Sequence, residues 1–238
     1  MAMLPVDLHG IHAVIYALFD PDEKLDRDAM RRQAAICVAV GAHGIAALGL
    51  ATEVAKLSEV ERRTIMDWAA EDTARRAPRE ITIIGGSEAE QVAQVRRAES
   101  VGADWVILQP PMVGQFSADE YIRFFGRVAG ATNLPVAVQN APTYMGRGLS
   151  VEDIHELLGE HPNIVCIKAE GPATDVARLI EATDGRIRVF NGRGGLELAD
   201  HLRIGCAGLI LAPDVIDLAI AAYEAFQDGD EAAAEAGY

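Results

Sequence analysis

Short apolar runs rich in valine and isoleucine alternate along the chain with longer segments of helical period. This alternation is typical of parallel strands joined by crossover helices, because each helix returns the chain to the same end of the sheet. The predicted strands cover residues 11–18, 44–50, 81–87, 105–110, 135–141, 164–170, 187–193 and 207–213. The predicted helices cover residues 26–40, 58–76, 88–101, 118–131, 151–159, 174–183, 195–204 and 215–226.

Eight strand and helix pairs predict an α/β fold that closes into a (β/α)8 TIM barrel, although an open doubly wound sheet would show a similar alternation. The 238 residues suffice for one large core and not for two ordinary domains. We therefore expect a single barrel domain over residues 1–238, with the last helix and tail starting near residue 215. In such a barrel the functional site lies at the carboxyl ends of the strands.

The charge balance argues against two classes of partner. With 36 acidic and 21 basic side chains, the formal net charge of -15 repels nucleic acids and anionic lipid surfaces. No apolar stretch approaches the length that spans a bilayer, and the first ten residues do not read as a signal peptide. We expect a cytoplasmic protein without nucleic-acid or membrane partners. Cys37, Cys166 and Cys206 lack metal-ligand spacing, so we predict buried thiols and no metal.

Lys168 is the residue that most suggests chemistry. It follows four apolar residues, 164–167, at the end of the sixth predicted strand. A lysine is costly to bury, and burial favours its uncharged form, which is a nucleophile towards carbonyl carbon. Condensation with a 2-keto acid would give an iminium that draws electrons from the neighbouring bond. The alternative is an ion pair with Glu170 or another rim carboxylate and no chemical role, because a lone lysine is weak evidence.

Several short segments occur in the same order and at similar spacing as in a known protein family. From about residue 10 to residue 225 it resembles the dihydrodipicolinate synthase and N-acetylneuraminate lyase superfamily of class I aldolases. The segments that carry the resemblance are Gly49-Leu50-Ala51-Thr52-Glu53, Leu57-Ser58 with Glu61, Gln139-Asn140-Ala141-Pro142, Ile167-Lys168, Gly192 and Gly205-Cys206-Ala207-Gly208-Leu209-Ile210.

The resemblance implies a role for most of these residues. Lys168 matches the lysine that forms the Schiff base, and no cofactor is expected because the lysine performs that chemistry. Leu50, Ala51 and Thr52 match the turn whose backbone N–H groups hold the substrate carboxylate. Gly192 and Ile210 match positions that line the pocket. The resemblance also implies a homo-oligomer, a tetramer or dimer, and a C-terminal helical extension that we expect to be short or missing here.

Four positions depart from the family pattern. Gln139 stands where the family has a tyrosine that relays protons, and glutamine does not titrate. Leu50 replaces a threonine, and Met112 replaces a second tyrosine. Tyr144 takes the place of an arginine that holds the carboxylate of aspartate semialdehyde, with Arg147 three residues later. We therefore expect a 2-keto acid other than the substrates of lysine biosynthesis and sialic acid cleavage.

Other groups have both a functional and a structural interpretation. Glu170 lies on the same strand face as Lys168 and is a substitute base, or else the partner of a rim arginine such as Arg193. Tyr16, on the same face as His12, either donates a hydrogen bond in the site or packs in the core. The glycine-rich turn at 191–195 either cradles phosphate or serves chain packing.

The leading hypothesis is a carbon–carbon or carbon–oxygen lyase, an aldolase or dehydratase, that acts on a pyruvate-type 2-keto acid through Lys168. In it Gln139 orients the reacting group, while Met112, Tyr144 and Glu170 contact the substrate. A second hypothesis is a barrel without turnover that binds a keto acid as a sensor. A third is a phosphate-binding barrel enzyme.

Overall fold

The computed structural model describes residues 7–74, 76–111, 114 and 116–237. Within them lie eight strands: β1 Gly10–Val14, β2 Gly44–Ala47, β3 Arg79–Ile83, β4 Trp105–Leu108, β5 Val136–Asn140, β6 Ile164–Ala169, β7 Arg188–Asn191 and β8 Gly208–Leu211. Ten helices accompany them: α1 Arg27–Ala39, α2 Glu59–Thr73, α3 Glu88–Ser100, α4 Ala118–Ala129, α5 Pro142–Met145, α6 Val151–Glu160, α7 Ala173–Ala182, α8 Leu198–Arg203, α9 Ile216–Gln227 and α10 Glu231–Ala236.

All eight strands are parallel to their neighbours and follow chain order around a closed barrel. The closing contact is between β1 and β8, where Gly10 pairs with Gly208 and Ala13 with Leu211. The predicted (β/α)8 barrel is therefore confirmed. The open doubly wound sheet is excluded, because an open sheet would leave its two edge strands unpaired.

Side-chain caps start the main helices where the sequence turns polar. Ser58, Ser117 and Ser150 each accept a hydrogen bond from the backbone N–H three residues later, and the acidic side chain at that position bonds back to the serine. Such a capping box satisfies N–H groups that the first helical turn leaves free. Ser58 and Glu61, two of the markers in the sequence, thus begin α2.

Several strands end earlier than their apolar runs. The run of β1 was predicted to reach residue 18, but the strand ends at Val14. Beyond it, the side chain of Gln33 on α1 accepts from the N–H of Tyr16 at 2.8 Å and donates to its carbonyl at 3.1 Å. The backbone hydrogen bonds there are made by a helix side chain instead of a neighbouring strand. A prediction based only on the apolar run therefore made β1 too long.

The short helix α5 was not predicted, whereas α10 lies in the C-terminal extension that was expected to be short or missing. α5 follows β5 directly and opens with Pro142. α10 packs on α9, and Arg203 of α8 bonds to Glu231 and Glu235 of α10. None of the helices in the described part of the chain combines the length and apolar character that crossing a bilayer requires.

The apolar core has two layers separated by the strands. The outer one lies between strands and helices. The inner one fills the barrel with alternate strand residues, among them Val14, Ala46, Trp105, Ile107, Ala137, Cys166, Phe190 and Ile210. Because strand side chains alternate between faces, the next inward position on each strand lies at the mouth of the barrel.

We expect Gly208→Ala to prevent normal closure of the barrel. A Cβ atom at residue 208 would lie 1.9 Å from the carbonyl oxygen of Gly10, and a backbone atom in the paired strand cannot yield as a flexible side chain can. The free energy of unfolding, measured in urea, should fall by about 3 kcal/mol or more. Gly159→Ala on the exposed face of α6 is the control: its Cβ meets nothing within 4 Å, so the change should be neutral or stabilise by about 0.5–1 kcal/mol. Equal stability of the two variants would contradict this account.

Candidate active site

Three neighbouring strands each place a polar side chain one step above the inner apolar layer. Gln109, Gln139 and Lys168 come two residues after inner-layer residues of β4, β5 and β6. Side chains two residues apart on a strand point to the same face, so the three lie together at the carboxyl ends of the strands. All three are buried. The register supports this, since Gln139 pairs directly with Lys168 across β5 and β6.

Lys168 forms a buried ion pair with Glu170. Its Nζ lies 2.7 Å from Oε1 of Glu170, and the two side chains are only 5% and 6% exposed. Arg193, the other partner considered for Glu170, instead lies 2.5 Å from Glu197. Burying two charges costs free energy that their mutual attraction only partly returns. The pair is thus a weak means of stabilisation, placed where a barrel enzyme has its chemistry.

Two glutamine amides extend the pair into a chain of hydrogen bonds. Nε2 of Gln139 donates to Oε1 of Glu170 at 2.7 Å, and Nε2 of Gln109 donates to Oε1 of Gln139 at 2.8 Å. Gln91 on α3 donates from Nε2 to the main-chain carbonyl of Gln109 at 3.0 Å, which holds the end of β4. The sequence offered only the polar end of a strand as a signal for Gln109, and no role was predicted for it.

The segment that carries Glu170 is held by the neighbouring strand. Nδ2 of Asn191 donates to the carbonyls of Ala169 at 2.7 Å and Gly171 at 3.0 Å, on either side of Glu170. A Cβ at residue 192 would lie 3.0 Å from the Glu170 carboxyl carbon, so Gly192 leaves the space the carboxylate occupies. The family resemblance implied that Gly192 lines the pocket, and Asn191 was considered only as part of the 191–195 turn, because its partners lie about twenty residues away.

The turn after β2 presents backbone donors. Leu48 has a positive φ of 64°, and a Cβ on Gly49 would lie 2.7 Å from Cγ1 of Val14. Within the described ranges, the N–H groups of Leu50 and Ala51 donate to no protein acceptor. Thr52 differs from them: its N–H donates to the carbonyl of Gly49 and its hydroxyl to that of Ile15.

A cavity of about 320 Å³ opens beside this turn and reaches the glutamine chain. Its lining includes Leu50, Gln109, Tyr144 and Arg147. The Arg147 guanidinium donates to main-chain carbonyls of Pro111 and Gly114, so it braces the loop after β4. The cavity therefore meets the hydrogen-bond chain at Gln109, its outer end, and Lys168 is not among the lining residues.

The other residues that were predicted to contact the substrate lie at different depths in the barrel. Ile210 is a buried member of the inner layer, below the mouth. Tyr144 on α5 is about half exposed. Burial lowers the pKa of Arg193, but hydrogen bonds to Tyr144 and Glu197 outweigh burial and raise it overall. Met112 lies outside the described residues.

The turn after β7 contains the glycine-rich segment that the sequence offered as a phosphate cradle or as a packing element. Arg193–Gly195 forms one turn of 3-10 helix, closed by the N–H of Gly195 donating to the carbonyl of Gly192 at 3.0 Å. The charge of Arg193 is already paired with Glu197. In the part of the chain that the structure describes, no three His, Cys, Asp or Glu side chains converge so as to hold a metal ion.

Comparison with known proteins agrees with this arrangement. The model of the dihydrodipicolinate synthetase family matches residues 7–237. The chain belongs to that family. An uncharacterized DapA-like lyase of Halobacterium salinarum is 31% identical over 236 residues, which are 98% of this chain and 76% of that protein. The 4-hydroxy-tetrahydrodipicolinate synthase of Xanthomonas axonopodis pv. citri is 35% identical over 211 residues, 86% of this chain and 68% of that one.

A solved structure of the family gives the same picture. YagE, a prophage protein of E. coli K12 that belongs to the dihydrodipicolinic acid synthase family, superposes with a TM-score of 0.92 at 25% identity. The match covers 97% of this chain and 79% of that protein, which was crystallised in complex with pyruvate. Almost the whole of this chain therefore has the same barrel structure as YagE.

Tyr16 lies near the mouth but its hydroxyl has a protein partner. It donates to Oδ1 of Asp214, in the turn after β8, at 3.1 Å. Burial and the nearby Asp214 carboxylate both raise the pKa of the tyrosine. The hydroxyl therefore ties together the loops after β1 and β8.

His12 lies within the barrel, below the candidate site. Its Nδ1 lies 2.8 Å from Oε1 of Glu80, and its Nε2 lies 3.0 Å from the carbonyl oxygen of His9. The side chains of His12 and Glu80 are fully buried. Burial lowers the pKa of His12, but the charge and hydrogen bond of Glu80 outweigh burial and raise it overall. The sequence showed that His12 points inward, but it did not indicate its partner 68 residues away.

We expect Glu80→Gln to change how stability depends on pH. A raised pKa means that protonated His12 contributes stability below its unfolded pKa of about 6.5, and that this contribution is lost as pH rises through the folded value. Without the Glu80 charge, burial dominates and lowers the pKa of His12. Protonated His12 then reduces the stability of the folded protein at low pH instead of increasing it. The difference in unfolding free energy between wild type and variant, from urea titrations between about pH 6 and 9, should therefore shrink as pH rises. A difference independent of pH would show that His12 is not protonated beside Glu80.

Proposed function

We propose that the protein is a class I lyase that forms a Schiff base between Lys168 and a pyruvate-type 2-keto acid. The observation that carries this proposal is the buried pair of Lys168 and Glu170, 2.7 Å apart at the carboxyl ends of the strands. Membership in the dihydrodipicolinate synthetase family supports it. So does the pyruvate complex of YagE, a protein of the same barrel architecture.

The chemistry follows from the amine and the keto group. The neutral amine of Lys168 attacks C2, water leaves, and the resulting iminium accepts the electron pair released when the C3–C4 bond or a C3–H bond breaks. Breaking the C3–C4 bond is aldol cleavage, and its reverse is condensation. In dehydration the C3–H bond breaks first, and the enamine then expels a hydroxyl group from C4 together with the C–O electron pair. The iminium and enamine forms are common to all three reactions, so the site supports the class and leaves the second substrate fragment open.

The proposal also gives roles to the residues around Lys168. The N–H groups of Leu50 and Ala51 hold the substrate carboxylate, while Thr52 keeps that turn in place through Gly49 and Ile15. Gln139 orients the reacting group from its place between the other amide and the carboxylate. The remaining substrate contacts in the proposal are Met112, Tyr144, Glu170, Gly192 and Ile210.

We also propose that the protein works in the cytoplasm as a homo-oligomer, a tetramer or dimer. What supports assembly is a set of large apolar side chains exposed on the described surface of this chain. Ile36, Val60 and Leu218 are 60%, 73% and 56% exposed. Contiguous exposed apolar patches are typical of surfaces that become buried on association, and in the proposal these side chains belong to such a patch.

Trapping with pyruvate tests the Schiff base directly. Borohydride reduction should leave a covalent adduct on Lys168, located by peptide mass spectrometry, and Lys168→Ala should abolish it. The sequence contains only three lysines, so the assignment is clear.

Lys56→Ala is the matched control, because Lys56 lines the adjacent cavity but is exposed and paired with Glu53 at 2.5 Å. An unmodified wild-type protein, with pyruvate and with larger keto acids, would refute the mechanism. An adduct without turnover of any keto acid would favour the sensor hypothesis.

The carboxylate cradle predicts discrimination against a neutral analogue. Pyruvamide presents the same keto group without the charge, so it loses charge-assisted hydrogen bonds worth about 1.5–3 kcal/mol each. The concentration that gives half-maximal trapping should therefore be at least about tenfold higher for pyruvamide than for pyruvate. Equal half-saturation concentrations would mean that the turn after β2 does not hold the carboxylate.

A further inference from the structure

The hydrogen-bond chain at the mouth has a fixed direction. An ionised carboxylate only accepts hydrogen bonds, so Gln139 must direct its NH2 group at Glu170 and its carbonyl oxygen at Gln109. Gln109 then gives its NH2 group to Gln139 at 2.8 Å. The negative charge of Glu170 thus orients both amides. A protonated Glu170 remains compatible with this network, because its second oxygen can carry the proton.

Glu170 is held where it can exchange a proton with Lys168. Its Oε1 lies 2.7 Å from Nζ, the atom that would attack the keto carbon. The side chain is only 6% exposed, so bulk water does not readily replace it as proton carrier. Asn191 holds the backbone on both sides of it, and Gly192 leaves room for its carboxyl group. These contacts keep one titratable group against the nucleophile.

Schiff-base chemistry needs a group that both accepts and gives protons. The ammonium must lose a proton, the C2 oxygen must gain two before it leaves as water, and C3 must lose one to form the enamine. Gln139 and Gln109 are amides and do not titrate. Among the described side chains within hydrogen-bond distance of Nζ, Glu170 is the one that can do this.

We propose that Glu170 is the general acid–base of this reaction, an inference that rests on the proposed Schiff base at Lys168. Glu170 takes a proton from the ammonium of Lys168, and the neutral amine adds to C2 of the keto acid. Glu170 returns that proton to the C2 oxygen, takes the second proton from the new C–N nitrogen and gives it to the hydroxyl. Water leaves with the C–O electron pair, the nitrogen lone pair closes the iminium, and the carboxylate is restored.

The same carboxylate then acts at C3. It removes a proton from the carbon next to the iminium, the C–H electrons form the C2–C3 double bond, and the C–N pair moves onto nitrogen. The enamine forms with no oxidant or reductant, and returning the proton reverses the step. In D2O the proton that returns is a deuteron. Exchange of the pyruvate methyl hydrogens therefore reports this step without knowledge of the physiological substrate.

The test is pyruvate exchange in D2O followed by proton NMR, with borohydride trapping on the same samples. Wild type should exchange the methyl hydrogens, and Lys168→Ala should not. Glu170→Gln should exchange at least about a hundredfold more slowly per trapped adduct, the loss typical of removing a general base. An adduct on Lys168 should still accumulate on long incubation. Asp175→Asn, which removes an exposed carboxylate close by in the sequence, should exchange as wild type does.

The outcomes separate the two proposals. Exchange at the wild-type rate per adduct in Glu170→Gln overturns the role of Glu170 and leaves the Schiff base standing. Absence of any adduct in wild type overturns the Schiff base itself, and this role with it. Circular dichroism establishes that the variant is folded. If it is not, Glu170→Asp decides: it keeps the carboxylate but sets it back by one methylene, so exchange per adduct should fall by at least about tenfold, and exchange at the wild-type rate overturns the proposal.

Discussion

Closure of the barrel between β1 and β8 is the constraint on which the rest of the structure depends. It puts every strand between two parallel neighbours and fixes which alternate residues face inward. Gly208 permits the closing contact, because a side chain at residue 208 would strike the backbone of the paired strand at Gly10. Once the inward face of each strand is fixed, the side chain two residues after an inner-layer residue lies at the mouth of the barrel. Lys168, Gln139 and Gln109 meet there for this reason, although they are far apart in the chain.

Much of this arrangement could be predicted from the sequence, because it depends on periodicity. The apolar run before Lys168 placed the lysine at a strand end, and alternation placed Glu170 on the same face. The strand positions were predicted well, but several ends were not. At Tyr16 the limit is set by Gln33, a helix side chain that satisfies the backbone in place of a strand. No local pattern encodes such a partner.

What the sequence could not supply were pairings between distant polar groups. His12 with Glu80 and Asn191 with the backbone around Glu170 each join separate strands. A polar residue at a strand end is compatible with solvent, a neighbour or a substrate, and only the closed fold decides among them. For Glu170 the sequence left two partners open, Lys168 and a rim arginine such as Arg193. Both side chains lie at the rim, but Arg193 pairs with Glu197, four residues later, while Glu170 pairs with Lys168.

A carboxylate in place of a hydroxyl relay brings a second negative charge near an anionic keto acid. The barrel order reduces the resulting repulsion, since β2 and β6 are four strands apart in a ring of eight and so stand on opposite sides of the mouth. The N–H groups after β2 would draw the substrate carboxylate away from Glu170, and Lys168 would meet the keto carbon between them. With Lys168 and Glu170 forming one neutral pair, the net charge of the site changes little when a proton passes between them. The amides of Gln139 and Gln109 add fixed dipoles without adding charge, which suits a site where one carboxylate moves the protons.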